Sequence, residues 1–246
     1  DIDGTLATTY SDYKPLTTIT SVYPNTALKD EPHTFVNSPY PHVLHRGAVE
    51  FIQFAAATFD SVSFFSTGNH ARNQPFVTSL LTLAFGEQDE TETNNFNVFS
   101  NTHLTKFKKD LTKLKVSDTL DNVILVDDKH DTGPDEQLRN LLLTHGAHED
   151  DFCALHTNKA KRKFYSYDTY IHTVLRLNHL FFVTGLLKRA LAKQTTSLAD
   201  ALYELQYHAT QDQSTTPNLA NMDLSLRNDA AIYQEGLAEL KRFNPA

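Results

Sequence analysis

The sequence predicts an α/β fold, an open and mostly parallel sheet with helices on both faces. Three stretches carry that expectation. One is Asp1-Ile2-Asp3-Gly4-Thr5-Leu6, two carboxylates two apart with a Gly-Thr turn behind them. The second is Ser61-Val62-Ser63-Phe64-Phe65-Ser66-Thr67-Gly68-Asn69, a short apolar run that closes on a polar turn. The third is Asn122-Val123-Ile124-Leu125-Val126-Asp127-Asp128, an aliphatic run with two carboxylates at its end. Short apolar runs bounded by turn residues read as buried strands. Groups at the C-terminal ends of such strands lie where open α/β sheets bind their ligands.

Composition narrows the classes. A chain of 246 residues holds one α/β domain of about 150 residues and a smaller helical region. A hydrophobic content of 40% is ordinary for a globular protein. The net charge of −8 argues against nucleic acid or an anionic membrane as the main partner. One cysteine, Cys153, excludes an internal disulfide and fits a reducing, intracellular compartment or a chain indifferent to its redox setting. The longest apolar approach to a membrane span, Leu180 to Leu187, is far too short to cross a bilayer.

At a strand end, positions i and i+2 point the same way, so Asp1 and Asp3 face one pocket while Gly4 lets the chain swing off. Paired carboxylates of this kind suit Mg²⁺, a hard, oxygen-seeking cation. An aspartate can also attack phosphorus and form an aspartyl-phosphate. A group with that task at Asp1 needs a strand to present it, so a short apolar strand is expected directly upstream.

Residues 7–42 carry five prolines, many hydroxyl residues and scattered aromatics, and read as loop with short strands. Two readings stay open for them: a small cap whose aromatics line a substrate cleft, or a surface excursion packed on the body. From Ala48 to Phe59 apolar residues recur at helical spacing. The run to Phe65 is a strand, and the turn Ser66-Thr67-Gly68 offers a hydroxyl and N–H groups that can hold phosphate oxygens. Ser66 is the preferred hydroxyl and Thr67 its rival. A helix over Pro75 to Phe85 ends at Gly86, and Asn97 to Ser100 is a short strand. Lys106, Lys108, Lys109, Lys113 and Lys115 form one cluster, of which one ammonium could reach a phosphate as a point charge.

Asp127 and Asp128 have little structural reason to close a core strand, because adjacent like charges repel unless a cation or hydrogen bonds offset them. Both read as metal-binding positions. Gln137 to Leu143 is expected as a short helix and Phe152 to Leu155 as a last strand, with Cys153 a buried filler. The basic cluster Lys159 to Lys163 reads as a solvated helix start, with an acidic partner or membrane surface as the alternative. Three helices follow, over 168–193, 197–209 with Ser197 as N-cap, and 223–243, with a linker at 214–217.

Asp1-Ile2-Asp3-Gly4-Thr5 resembles the first motif of the haloacid dehalogenase superfamily of phosphohydrolases. Ser66, a downstream lysine and Asp127-Asp128 stand in the order of that family's other motifs. The likeness is sharper for the branch of RNA polymerase II C-terminal-domain phosphatases and NIF-like phosphatases. His45-Arg46-Gly47 stands where that branch has Arg-Pro-Gly, Pro75 lies nine residues after Ser66, and Lys109-Asp110-Leu111 matches its Lys-Asp-Leu. The resemblance covers about residues 1–155. It departs at Gly4, at the missing Arg-Pro-Gly and over the helical region 156–246. The core also resembles phosphotyrosine phosphatases that bacteria inject as effectors, which would place it in a host cytoplasm.

The resemblance implies a Rossmann-like core (1–155) with a cap inserted at about 7–42, and a helical C-terminal appendage. It implies a Mg²⁺-dependent phosphatase. Asp1 is then the nucleophile, and Asp3 the proton donor and water activator. Ser66, Thr67, Gly68 and Lys109 hold the phosphate. Asp1, Asp127, Asp128 and the Asp3 carbonyl surround the metal. A small cap favours a phosphorylated protein as substrate, phosphotyrosine first. The rivals are a phosphatase of sugar or nucleotide phosphates, and a non-catalytic binding module on the same fold that uses the helical region as its partner surface.

Overall fold

The computed structural model describes residues 1–9, 35–37, 41–87, 96–115, 117–147, 175–193, 197–207 and 222–243. Among them the chain is mixed α/β, with one antiparallel and two parallel sheets. Most of the expected cap, the last strand with Cys153, the basic cluster at 159–163 and the linker at 214–217 fall outside the described residues.

The turn at Asp1–Leu6 is tightly closed. The Ile2 carbonyl accepts from the N–H groups of Leu6 at 2.8 Å and Ala7 at 3.0 Å, and Gly4 N–H donates to the Ala7 carbonyl at 2.9 Å. Gly4 sits at φ 78°, a left-handed conformation that glycine adopts without a Cβ clash. The chain then enters β1 (Ala7–Thr9), which pairs antiparallel with β3 (Pro41–Leu44); β3 also pairs with β2 (Phe35–Asn37). The register sets Ala7 opposite Leu44 and Thr9 opposite His42. The short strands expected within 7–42 are therefore a three-stranded sheet growing straight out of the acidic turn.

Helix α1 (Ala48–Thr58) buries Ala48, Phe51, Ile52, Phe54 and Ala55, the stripe that the apolar spacing predicts. Strand β4 (Val62–Phe65) leads through the Ser66 turn into α2 (His70–Phe85). That helix starts five residues before Pro75, because the Asn69 side chain caps it by accepting from Arg72 N–H at 2.9 Å. Strand β5 (Phe96–Phe99) pairs in parallel with β4, from Val62 opposite Phe96 to Phe65 opposite Phe99.

Strand β6 (Leu125–Asp127) is the end of the expected aliphatic strand. Its parallel partner corrects the sequence reading. Gln137 to Leu143 is not one helix: a 3-10 helix covers Asp135–Asn140, and Leu141–Leu143 is strand β7. The Asn140 amide donates to the carbonyls of Leu120 at 2.5 Å and Val123 at 2.8 Å, which stops the helix and lays the three leucines along β6.

The C-terminal region holds α3 (His179–Lys193), α4 (Leu198–Gln206) and α5 (Ala230–Leu240). Ser197 caps α4 as expected, its hydroxyl accepting from Asp200 N–H at 3.0 Å. The expected helix over 223–243 is divided. Asp223 heads a 3-10 helix at Leu224–Asn228, and Asp229, non-helical at ψ 101°, caps α5. These helices are not an appendage. Phe181, Phe182, Leu186, Leu202, Ile232 and Leu237 belong to the same buried cluster as Ile2, Leu6, Phe51 and Phe64. Where α3 crosses α5 the backbones nearly touch: a Cβ on Gly236 would stand 1.8 Å from the Phe181 carbonyl oxygen, and one on Gly185 2.0 Å from that of Ile232. Among the described residues no helix is long and apolar enough to cross a membrane.

Candidate active site

Two elements, the first turn and the end of β6, bring the acidic motifs to one place. The backbone nitrogen of Asp1 donates to the Val126 carbonyl at 2.7 Å, so the first turn lies against the end of β6. There the carboxylates of Asp1, Asp127 and Asp128 each place an oxygen within 4.8 Å of the others. Asp127 is held further by Lys129 N–H, which donates to its Oδ1 at 2.9 Å. Gly146 makes the room for Asp128: at φ 63° it is left-handed, and a Cβ there would stand 2.6 Å from the Asp128 Cβ.

Lys109 is the cation of this group. It is 1% exposed, and its Nζ donates to Asp1 Oδ1 at 2.7 Å and to Asp127 Oδ2 at 2.6 Å. Burial pushes its ammonium below the ordinary lysine range, against the pull of the Asp127 carboxylate. A tight turn presents it. Lys106 and Phe107 are left-handed at φ 50° and 66°, Thr105 and Lys108 bridge across them, and Lys109 N–H donates to the Thr132 carbonyl at 2.7 Å. Of the other lysines, Lys108 reaches the Asp131 carbonyl and not the carboxylates.

Asp3 faces a different set. Its Oδ2 accepts from the Ser66 hydroxyl at 3.0 Å, and its Oδ1 accepts from Arg72 and from the Thr9 hydroxyl. Burial alone would raise the Asp3 carboxyl; the Arg72 hydrogen bond and charge, with the Ser66 hydroxyl, outweigh it and hold the group below the usual carboxylate range. The side chain of Asp3 therefore stands apart from the three carboxylates that could share a metal. Ser66 is fully buried beside Asp3, whereas Thr67 is exposed. Gly68 N–H donates to Ser66 Oγ at 3.1 Å. A Cβ on Gly68 would meet Arg72 at 2.6 Å, so a glycine here admits that guanidinium.

Arg72, His42, His45 and His179 were not singled out by the sequence reading, apart from His45 within its tripeptide. Arg72 touches Thr9 Oγ1 at 3.2 Å and His42 Nε2 at 3.5 Å as well as Asp3, tying α2 to the antiparallel sheet. His45 Nδ1 and His179 Nε2 both meet the Thr5 carbonyl, at 2.9 and 2.7 Å. Three oxygen donors on carboxylates, with no sulfur or imidazole among them, fit a hard divalent cation such as Mg²⁺ or Ca²⁺. Comparison of the chain with protein-family models, with curated proteins and with solved structures finds no match.

Proposed function

We propose that the chain is a Mg²⁺-dependent phosphatase of the haloacid dehalogenase type, with a Rossmann-like core, acting on phosphorylated protein and on phosphotyrosine first. One observation carries the reading: a buried lysine bridges two buried carboxylates, with a third carboxylate beside them and an Asp–Ser pair one turn away. Asp1, Asp127 and Asp128 would hold the cation, which when bound offsets the charge of the phosphate.

In this reading an Asp1 carboxylate oxygen attacks phosphorus, the new P–O bond forms, and the bond to the leaving oxygen breaks. Lys109 neutralises the charge gathered around Asp1 and the transferring group. Ser66 and Lys109 fix the equatorial oxygens, so positioning supplies much of the rate. Asp3, ionised beside Arg72, takes a proton from the water that hydrolyses the aspartyl-phosphate; it gives one to the leaving oxygen only once the Arg72 contact opens and the carboxyl is protonated. Inorganic phosphate leaves and Asp1 is restored. A phenol is more acidic than an alkyl hydroxyl and demands less of Asp3, which favours phosphotyrosine.

The test is hydrolysis of para-nitrophenyl phosphate with Mg²⁺ and with EDTA, beside Asp1→Asn. Activity that needs Mg²⁺ and is lost in the variant supports the reading. A folded, inactive wild-type protein sinks it and leaves the binding-module alternative.

A further inference from the structure

Asp3 is held by donors that come from three other elements. Its Oδ2 accepts from the hydroxyl of Ser66, just past β4, at 3.0 Å. Its Oδ1 accepts from the hydroxyl of Thr9 in β1 at 3.3 Å and from Arg72 in the first turn of α2. The start of a helix adds a partial positive charge of its own. Two hydroxyls and a guanidinium so placed make a seat for an oxyanion. One carboxylate of the chain itself fills it.

Three details say that the seat serves more than Asp3. The Ser66 hydroxyl has a single proton to give, and Asp3 has it. Ser66 therefore cannot fix a phosphate oxygen until Asp3 lets go. The guanidinium is only partly used: its contacts with Asp3, Thr9 and His42 all run through Nη2. Among the described residues Nε and Nη1 donate to nothing, and Nη1 lies over Gly68, where a Cβ would meet it at 2.6 Å. That places the unused arm of the fork against the Ser66–Gly68 turn. Finally, the pair is not sealed, with the Asp3 side chain 38% exposed and that of Arg72 18%. A solute can reach both.

We infer that this is a self-occupied phosphate seat: Arg72 and Thr9 are substrate-binding residues, and a phosphate monoester displaces Asp3 from the donors it holds. The inference rests on the phosphatase reading. A phosphomonoester dianion brings three oxygens and two charges against the two oxygens and one charge of a carboxylate, so it takes the guanidinium fork from Asp3. Binding is thereby linked to chemistry. Arriving substrate frees the Asp3 carboxylate for the leaving oxygen and the water, and product release returns it to Arg72.

The probe is inorganic phosphate, titrated by calorimetry with Mg²⁺ present into wild type, Asp3→Ala, Arg72→Gln and the double variant. Asp3→Ala removes the competitor and is expected to tighten phosphate binding about tenfold. Adding Arg72→Gln to Asp3→Ala is expected to weaken it about tenfold again, the worth of one hydrogen bond to a charged group. A guanidinium that only anchors Asp3 has nothing left to anchor in that background. Equal affinities of Asp3→Ala and the double variant therefore overturn the inference, and so does an Asp3→Ala affinity no better than wild type. Should Arg72→Gln not fold, Arg72→Lys in the same background keeps the charge and loses the fork, and an affinity equal to that of Asp3→Ala again overturns it. Hydrolysis of para-nitrophenyl phosphate tells this failure from that of the reading beneath it. An active wild type whose Arg72 variants bind phosphate undisturbed removes Arg72 alone. A wild type that neither hydrolyses the ester nor binds phosphate removes both.

Discussion

Nε2 of His179 donates to the carbonyl oxygen of Thr5 at 2.7 Å, across 174 residues of chain. The first turn of α3 thus fixes the turn that carries Asp1 and Asp3. His179→Leu removes this donor in a fully buried place and leaves His45 as the remaining ring at Thr5. A loss of about 1–3 kcal/mol in chemical denaturation is expected. If the phosphatase reading holds, kcat falls with KM little changed, because the acidic turn is displaced while phosphate contacts persist. An unaltered unfolding midpoint would show that the bond is not structural.

Lys109→Met leaves the carboxylates of Asp1 and Asp127 facing each other in a buried site without their cation. Breaking such a group costs about 3–5 kcal/mol. Divalent cation should then stabilise the variant more than the wild type, since it replaces the missing charge. Melting curves with and without Mg²⁺ check this; equal Mg²⁺ shifts in the two proteins would remove Lys109 from the cation site. If the phosphatase reading holds, activity should fall at least about 100-fold.

Gly146→Ala pushes a methyl group against Asp128 at a backbone conformation unsuited to alanine. About 1–3 kcal/mol of strain is expected, and Asp128 must move. The sensitive readout is cation affinity by calorimetry, where a tenfold or greater loss is expected. Unchanged affinity would mean that Asp128 takes no part.

His145 supplies a pH dependence. Burial, with the charge of Arg227, pushes its pKa down from 6.5 to about 4. The neutral form is therefore favoured in the folded state. Above pH 6.5 neither state binds the proton. Between 6.5 and 4 the unfolded chain takes a proton that the folded chain refuses, so stability falls as pH falls. The expected loss from this ring between pH 7.5 and pH 5 is about 2 kcal/mol. Urea titrations of wild type and His145→Gln at both values measure it, and an equal acid loss in the variant would assign the effect elsewhere.

Local patterns made much of this legible. The α1 stripe, β4, the Ser197 cap and the acidic strand end at Asp127 depend on neighbours within a few residues. Leu141–Leu143 is not legible as a strand because three consecutive leucines carry no period, and the strand is decided by Asn140 and the open edge of β6. Arg72 was missed because one arginine in a first helical turn looks like a solvated residue. Its partners Asp3, Thr9 and His42 come from three distant places. His179 is the extreme case, a single ring whose meaning lies at the other end of the chain. Among the lysines only family resemblance chose Lys109, and the structure sets that one among the carboxylates.

The crossing at Gly185 and Gly236 limits how the chain can be divided. Two helices whose backbones touch at both glycines have one docking position, like a key with a single notch, and they carry His179 with them. A fragment ending near residue 155 would keep every acidic motif. It would also uncover the apolar flank of α1 that Phe181 and Leu240 shield, and release the Thr5 turn. The acidic motifs and the C-terminal helices are therefore inherited together or not at all, and a shortened gene product would be expected to precipitate before it could be assayed.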